Sequence, residues 1–198
     1  MVSLNKKIFC LFLLGLLAAG TVLADAHSVV YEVKPGDHLT SISKKFHVTG
    51  DLLKIVNKLP NDRLMPGMKL KVPTYKFSVV IDKSQNTLIL KGDENVLKTY
   101  LVSTGTNNSS PVGVFKIKDK LINPTWYKAG TAVPYGSPQN VLGTRWMGIT
   151  KKGYGIHGTT EPEKIGQQVT AGCVRMKNQD VEELYSFLPV GTEVTIVD

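Results

Sequence analysis

Two residues near the C-terminus have the chemistry of a nucleophile and its base: Cys173 and, sixteen residues upstream, His157. A thiol attacks as its thiolate, so it needs a neighbouring base or positive charge. Arg175 lies two residues beyond the cysteine and supplies a second candidate charge. The spacing predicts a Cys–His pair for nucleophilic catalysis. The alternative, a small buried cysteine with no reactivity, stays open at this point.

Two glycines beside this pair favour the catalytic interpretation. Gly172 precedes the thiol and lets the backbone bend, so that N–H groups around Gly172 and Cys173 can face a developing oxyanion. Gly158 follows His157 and can bring its carbonyl to the imidazole Nδ1–H, which leaves Nε2 for the thiol. Each glycine alone could be an ordinary turn residue. Together with the pair they form one coherent candidate site.

The cysteine count also indicates a free thiol. The other cysteine, Cys10, lies within residues 1–26, which have the pattern of a secretion signal: two lysines, an apolar run and small residues at the cleavage site. We expect cleavage before His27 and export to the periplasm or cell wall. The apolar run is shorter than the ~20 residues that cross a bilayer, so no membrane span is expected after cleavage. An exported chain with one remaining cysteine suggests a reactive or intermolecular thiol.

Charge narrows the choice of partner. The formal net charge is +8, from 24 basic and 16 acidic residues, which suits an anionic partner. The lysines are spread along the chain, so nucleic acid is not expected. No His, Asp and Glu cluster has metal-ligand spacing, so we expect no metal.

The segment 29–73 is predicted to fold as strand, helix, helix and strand. Turn residues separate the four elements, and the apolar residues of the helices recur at helical spacing. The expected elements are a strand at Val29–Val33, a helix from Leu39 to Phe46, a helix over Leu52–Asn57 capped by Thr49 or Asp51, and a strand at Met68–Val72.

The runs from Tyr31 to Leu39 and from Leu64 to Leu70 resemble a LysM module. The resemblance implies binding of N-acetylglucosamine-containing polysaccharide by two loops, Pro35–Leu39 and Leu59–Met65. The implied contact residues are Gly36, Asp37, His38 and Leu39. His38 stands where the family usually has Thr, a departure that bears on one sugar contact. A glycine such as Gly36 can also be explained by its turn alone.

A second domain, 77–198, follows the short joint Thr74–Tyr75. Alternating strands are expected at Phe77–Asp82, Asn86–Lys91, Val96–Ser103, Val114–Lys118, Trp146–Ile149, Gly155–His157 and Thr192–Val197. One late helix is predicted, with Asn178 as its N-cap and Pro189 beyond its end. Many short strands with one helix indicate a mainly β sandwich or barrel.

The run His157-Gly158-Thr159, followed by Thr170 to Met176 and Asp180, resembles the signature of the YkuD-type L,D-transpeptidases. The resemblance implies a β-sandwich with Cys173 as nucleophile, His157 as base and the Gly158 carbonyl as its partner; no cofactor is implied. Supporting matches occur at Ser103–Gly105, Pro111–Phe115, Asn123–Trp126 and Leu142–Trp146. Ala171 replaces a histidine of the common motif, and Thr170 replaces a serine.

The same resemblance implies a reaction on peptidoglycan in cell-wall biogenesis and the maintenance of cell shape. Cys173 would attack the L-centre carbonyl of diaminopimelate in a stem tetrapeptide and release D-Ala. An acceptor amine would then give a 3–3 cross-link or attach a protein, and carbapenem-type inhibitors would react at the same thiol. Arg175 would stabilise the thiolate, bind a substrate carboxylate or pair with Asp180. Residues 123–135, with Trp126, Tyr127 and Tyr135, form either a lid or part of the core.

Four other functions share part of this pattern. An L,D-carboxypeptidase would use the same residues, and a sortase also combines His, Cys and Arg, at wider spacings. Cysteine amidase-endopeptidases with LysM modules place their cysteine before the histidine, the reverse of the order here. A non-enzymatic cell-wall-binding protein would need neither Cys173 nor His157.

Overall fold

The computed structural model describes residues 27–128 and 130–198, and it has an N-terminal module, residues 28–73, of the expected order. Its elements are β1 (Ser28–Glu32), α1 (Leu39–Phe46), α2 (Gly50–Asn57) and β2 (Lys69–Pro73). β1 and β2 pair antiparallel along their whole length, from Ser28 opposite Pro73 to Glu32 opposite Lys69. The predicted signal segment, 1–26, lies outside the described residues.

Local capping explains where the two helices of this module begin. The Thr49 hydroxyl accepts the Leu52 N–H at 2.9 Å, so Thr49 is the N-cap of α2 and Asp51 is not. His38 is the N-cap of α1, and its backbone N–H donates to the Ser41 hydroxyl at 3.1 Å. The apolar stripes then turn inward and bury Leu39, Ile42, Leu52 and Leu53.

The C-terminal domain, residues 77–198, is mainly β with one α-helix among its described residues, as predicted. Its strands are β3 (Phe77–Asp82), β4 (Thr87–Gly92), β5 (Asn95–Leu101), β6 (Thr104–Gly105), β7 (Gly113–Ile122), β8 (Trp126–Lys128), β9 (Thr131–Val133), β10 (Arg145–Ile149), β11 (Gly155–His157), β12 (Gln168–Thr170), β13 (Val174–Arg175) and β14 (Glu193–Val197). The helix α3 spans Asn178–Phe187.

Eight of these strands form one curled mixed sheet in the order β13-β11-β10-β7-β14-β3-β4-β5. The long strand β7 joins its two halves. Residues 113–116 of β7 pair with β14, and residues 117–122 pair with β10. The expected strand Val114–Lys118 therefore extends in both directions. β10, β11 and β13 then lie side by side at one end of the sheet.

The start of α3 corrects one sequence prediction. Lys177 occupies the N-cap position, and Asn178 is the first residue of the helix. The Asn178 side chain does not cap α3 and bonds to two neighbouring loops instead. The apolar residues Val181, Leu184 and Leu188 are fully buried, so one face of α3 and the residue after it pack into the core.

The two parts of the chain pack end to end at α2 and α3. The Thr49 hydroxyl donates to the Ser186 carbonyl in the last turn of α3. Beside it, Phe77 and Phe187 pack with ring centroids 6.0 Å apart. The Lys120 ammonium donates to the carbonyls of Tyr185 and Leu188 at 2.6 and 2.7 Å, which closes the end of α3. None of the helices in the described part of the chain is long and apolar enough to cross a membrane.

Candidate active site

Adjacent parallel strands bring the predicted nucleophile and base to one region. β11 pairs with β13 in a register that places His157 opposite Arg175. Cys173 directly precedes β13, two residues before Arg175. Because side chains alternate along a strand, positions 173 and 175 face the same side of the sheet as position 157. The pairing of β11 with β13 therefore brings together two residues that are sixteen positions apart in the sequence.

His157 is buried and oriented through its own backbone. Its side chain is 3% exposed, and Nδ1 lies 2.7 Å from the Gly158 carbonyl oxygen. That carbonyl can only accept, so Nδ1 carries the proton and Nε2 is left as the basic nitrogen. Burial lowers the pKa of His157 to about 4, against the raising effect of the Gly158 bond; the positive charge of Arg175 lowers it further. At neutral pH the imidazole is therefore uncharged.

The thiol of Cys173 is half-buried and is also protonated at neutral pH. Burial raises its pKa, while a backbone hydrogen bond from Gly155 and the charge of Arg175 act in the opposite direction. The Cys173 Sγ lies 3.8 Å from the Gly153 carbonyl oxygen. A neutral thiol and a neutral imidazole could act as nucleophile and base only if the proton moved to the imidazole as the sulfur attacked.

Two hydrogen bonds of the Thr170 hydroxyl hold the turn before Cys173. This hydroxyl donates to the Cys173 carbonyl at 2.6 Å and accepts the Gly172 N–H at 3.1 Å. This bond occupies the Gly172 N–H, which was predicted to face an oxyanion. Within residues 27–128 and 130–198, no hydrogen-bond partner is found for the Cys173 N–H. That amide is therefore a donor still available at the turn.

Gly172 is needed at its position for space as well as for conformation. Its φ is +123°, and a Cβ there would lie 2.6 Å from Tyr154 Cε1 and 3.1 Å from the Ser109 carbonyl oxygen. The buried Ser110 hydroxyl donates to the Gly172 carbonyl at 2.9 Å. Chain segments distant in sequence thus fix the bend that presents Cys173.

Arg175 pairs with Glu161 and not with Asp180, which corrects one of the alternatives. Its Nη1 lies 2.8 Å from Glu161 Oε2. The side chain is buried, and its Nε has no hydrogen-bond partner in the described structure. The Nε–H is therefore an unpaired donor that is itself buried in the protein.

The predicted lid region contains a separate two-stranded hairpin, β8 and β9. Tyr127 on this hairpin is 77% exposed, so it does not belong to the core. Asn140 secures the base of the hairpin, since its Nδ2 donates to the carbonyls of Pro124 and Val133 at 2.9 and 3.0 Å. The hairpin is thus a distinct, anchored element.

The predicted sugar-contact residues differ in how far their side chains or backbone are exposed to solvent. Gly36 and His38 are exposed, whereas Leu39 is 6% exposed and belongs to the core. The Asp37 carboxylate accepts the Tyr31 hydroxyl at 2.7 Å and the Lys34 N–H at 2.9 Å, so it shapes the loop. Those two bonds lower the pKa of Asp37.

Sequence reasoning missed several residues that shape the site: Ser110, Tyr154, Glu161 and the side-chain role of Asn178. A polar residue at a helix start is commonly a cap, and that pattern misassigned Asn178. The other three act across long sequence separations, for which a single sequence carries no signal. Among residues 27–128 and 130–198, no group of three or more His, Cys, Asp or Glu side chains is placed to hold a metal ion.

Comparisons with known proteins agree with this geometry. The L,D-transpeptidase catalytic domain model named YkuD matches residues 76–196, and the LysM domain model matches residues 31–73. A Bacillus subtilis protein named as an L,D-transpeptidase, YkuD, is 34% identical over 175 residues, covering 85% of this chain and 98% of its own.

Solved structures share the fold. An L,D-transpeptidase from Mycobacterium smegmatis matches 67% of this chain and 64% of its own, with a TM-score of 0.55 and 19% identity. The L,D-transpeptidase LdtMt1 in complex with imipenem matches 66% of this chain and 63% of its own, with a TM-score of 0.52 and 19% identity. At this level of identity the match describes the fold alone.

Proposed function

The chain belongs to the YkuD family of L,D-transpeptidases, with a LysM domain before the catalytic domain, and we propose that it acts on peptidoglycan stem peptides through Cys173. The observation that carries this proposal is the bond between His157 Nδ1 and the Gly158 carbonyl. This bond places the proton on Nδ1, so Nε2 of the buried imidazole can accept a proton. His157 lies on β11, which pairs with β13, the strand that directly follows Cys173. The family match favours this reaction over a sortase or a non-enzymatic binding protein.

The first step forms an acyl-enzyme. His157 Nε2 takes the proton of the Cys173 thiol while Sγ bonds to the L-centre carbonyl carbon of the donor tetrapeptide. The carbonyl electrons move onto oxygen, and their return breaks the C–N bond to the terminal D-Ala. The imidazolium gives its proton to the leaving amine, so free D-Ala departs and a thioester remains.

Two groups of this chain suit the charge that develops in that step. The Cys173 N–H is the available donor for the oxyanion, and one such donor is typically worth ~3–4 kcal/mol. Arg175 adds positive charge near the thiol and so favours its ionised form.

The second step passes the acyl group to an acceptor. An acceptor amine attacks the thioester carbon and loses its proton to His157, and the C–S bond breaks to regenerate the thiol. An amine from another stem peptide gives a 3–3 cross-link, and an amine from a protein gives attachment. If water attacks the thioester carbon instead of an amine, the enzyme acts as an L,D-carboxypeptidase.

The LysM domain directs this chemistry to glycan strands. Its exposed Gly36 and His38 lie on the first of the two loops expected to bind sugar, with Asp37 and the buried Leu39 as the loop's internal supports. A peptidoglycan substrate requires export to the periplasm or cell wall, where the enzyme serves wall biogenesis and cell shape.

Mass spectrometry tests the nucleophile and the reaction together. Imipenem should add covalently to the wild-type protein and leave Cys173→Ala unmodified, with Cys173→Ala still bound to isolated cell wall. A persistent adduct on Cys173→Ala contradicts the nucleophile assignment. Muropeptides incubated with the enzyme then separate the products: cross-linked dimers, protein adducts or trimmed tripeptides.

A further inference from the structure

Asn178 holds the loop that follows the catalytic histidine. Its side-chain Oδ1 accepts two backbone N–H groups, from Thr159 at 3.0 Å and from Thr144 at 3.2 Å. Its Nδ2 donates to the Thr159 carbonyl at 2.9 Å. Three hydrogen bonds therefore join the first residue of α3 to two loops of the catalytic domain.

One of these bonds lies on the peptide group that orients the base. The Thr159 N–H and the Gly158 C=O belong to the same planar trans peptide, so they point in opposite directions. The N–H donates to Asn178 Oδ1, and the C=O accepts from His157 Nδ1 at 2.7 Å. Hydrogen bonds in such a chain polarise one another, so the Asn178 bond makes that carbonyl a stronger acceptor.

Two glycines leave room for the Asn178 side chain. A Cβ at Gly143 or at Gly158 would lie 2.2 Å from Asn178 Oδ1. Gly143 also has a φ of +64°, a conformation that glycine adopts at least cost. The amide oxygen thus occupies a space bounded by the backbone of both loops.

We propose that Asn178 is a positioning residue for His157, acting through the Gly158–Thr159 peptide. The Gly158 carbonyl takes the place of the third group of a catalytic triad, and Asn178 holds the opposite side of the same peptide unit. The inference rests on the proposed function, since it assigns a role relative to the base of that reaction. Asn178 touches no reacting atom.

The matched control lies in the LysM domain. Asn57 also makes three backbone bonds: its Nδ2 donates to the carbonyls of Leu53 and Lys71 at 2.9 and 2.8 Å, and its Oδ1 accepts the Lys71 N–H at 2.7 Å. Replacing Asn57 removes the same number of hydrogen bonds to the backbone, and none of them connects to His157. Asn57→Ala therefore separates a loss of stability from a loss of positioning.

The test measures imipenem acylation of the full protein below its unfolding temperature. Asn178→Ala is expected to lower the first-order acylation constant about ten- to a hundredfold with imipenem affinity unchanged, a range typical for groups that orient a functional residue. Asn57→Ala should stay within about twofold of wild type, by the same reasoning. Asn178→Asp keeps the acceptor for Thr159 and should recover part of the rate. Equal rates in Asn178→Ala and Asn57→Ala overturn the proposal.

A second measurement does not depend on the reaction. The proton NMR signal of His157 Nδ1–H should move in Asn178→Ala and stay in place in Asn57→Ala. Asn178→Ser gives the same comparison if the alanine variant does not fold. An unmoved signal overturns the positioning role, whereas a wild-type protein that imipenem does not acylate counts against the proposed function alone.

Discussion

The glycines in the turns of the LysM domain differ from those beside His157 and Cys173 in the catalytic domain. In the LysM domain, Gly36 and Gly67 adopt φ values of +87° and +88°, and a Cβ at either would meet nothing within 4 Å. In the catalytic domain, a Cβ at Gly158 or Gly172 would meet neighbouring atoms at 2.2 and 2.6 Å. Glycine allows a turn at Gly36 and Gly67, and it makes room for neighbouring groups at Gly158 and Gly172. For the glycines beside His157 and Cys173, the atoms that surround a Cβ position therefore explain why glycine is required.

The largest expected difference between the domains is therefore between two glycine substitutions. Gly158→Ala places a methyl group against Asn178 Oδ1 and displaces the carbonyl that orients His157. Because a displacement of about 1 Å at such a site can cost a hundredfold, imipenem acylation should fall by about that factor or more. Gly67→Ala strains only its own backbone, so it should cost about 1–2 kcal/mol of unfolding free energy and leave acylation unchanged.

Stopped-flow acylation and urea unfolding of both variants check this prediction. The contrast fails if Gly158→Ala reacts at the wild-type rate, or if Gly67→Ala slows the reaction as much as Gly158→Ala does. Either result would show that the space around the Cβ position does not explain the difference between Gly158 and Gly67.

This difference also explains how much the sequence could predict. The LysM helices depend on neighbours in sequence, such as Thr49 and its Leu52 partner, so their positions and apolar stripes were predictable, although α2 begins at Gly50 and not at the predicted Leu52. The Cys–His–Gly set was predictable because its residues and spacing are a family signature. The role of Asn178 was not, since its partners Thr144 and Thr159 lie 34 and 19 residues away. Long-range hydrogen bonds leave no local pattern in a single sequence.

A second prediction concerns the buried imidazole. The pKa of His157 is about 4 in the folded protein, against 6.5 for an ordinary histidine. Between these values the unfolded chain binds more protons, so stability falls as the pH drops through 6.5 and the loss is complete below about 4. The size of this contribution is about 3 kcal/mol.

The pH dependence of urea unfolding tests this point. Subtracting the curve of His157→Gln from that of the wild type removes the contribution of carboxylates that also titrate at low pH, such as Glu161. The difference should appear between pH 6.5 and 4. His47→Gln, at an exposed position of the LysM domain, is the control and should leave the wild-type curve nearly unchanged. Parallel wild-type and His157→Gln curves would show that the imidazole titrates normally.

The smallest expected effect tests whether the two domains behave as one unit. Thr49 caps α2 in the LysM domain and bonds to Ser186 at the end of α3 in the catalytic domain, beside the contact of Phe77 with Phe187. The Thr49 hydroxyl makes both the helix cap and the bond to Ser186. Thr49→Val removes both and should therefore lower the free energy of unfolding by about 1–2 kcal/mol. That loss corresponds to a fall of roughly 2–8 °C in the unfolding midpoint.

Calorimetry distinguishes a shared core from two independent ones. A shared core predicts one transition, which Thr49→Val moves as a whole and Thr40→Val, at an exposed position of α1, leaves in place. Two transitions, of which only the LysM one moves, would mean that the α2–α3 contact does not couple the domains. With coupling, the two LysM loops proposed to bind sugar keep a fixed direction relative to Cys173, because the contact leaves the joint Thr74–Tyr75 no freedom to reorient them.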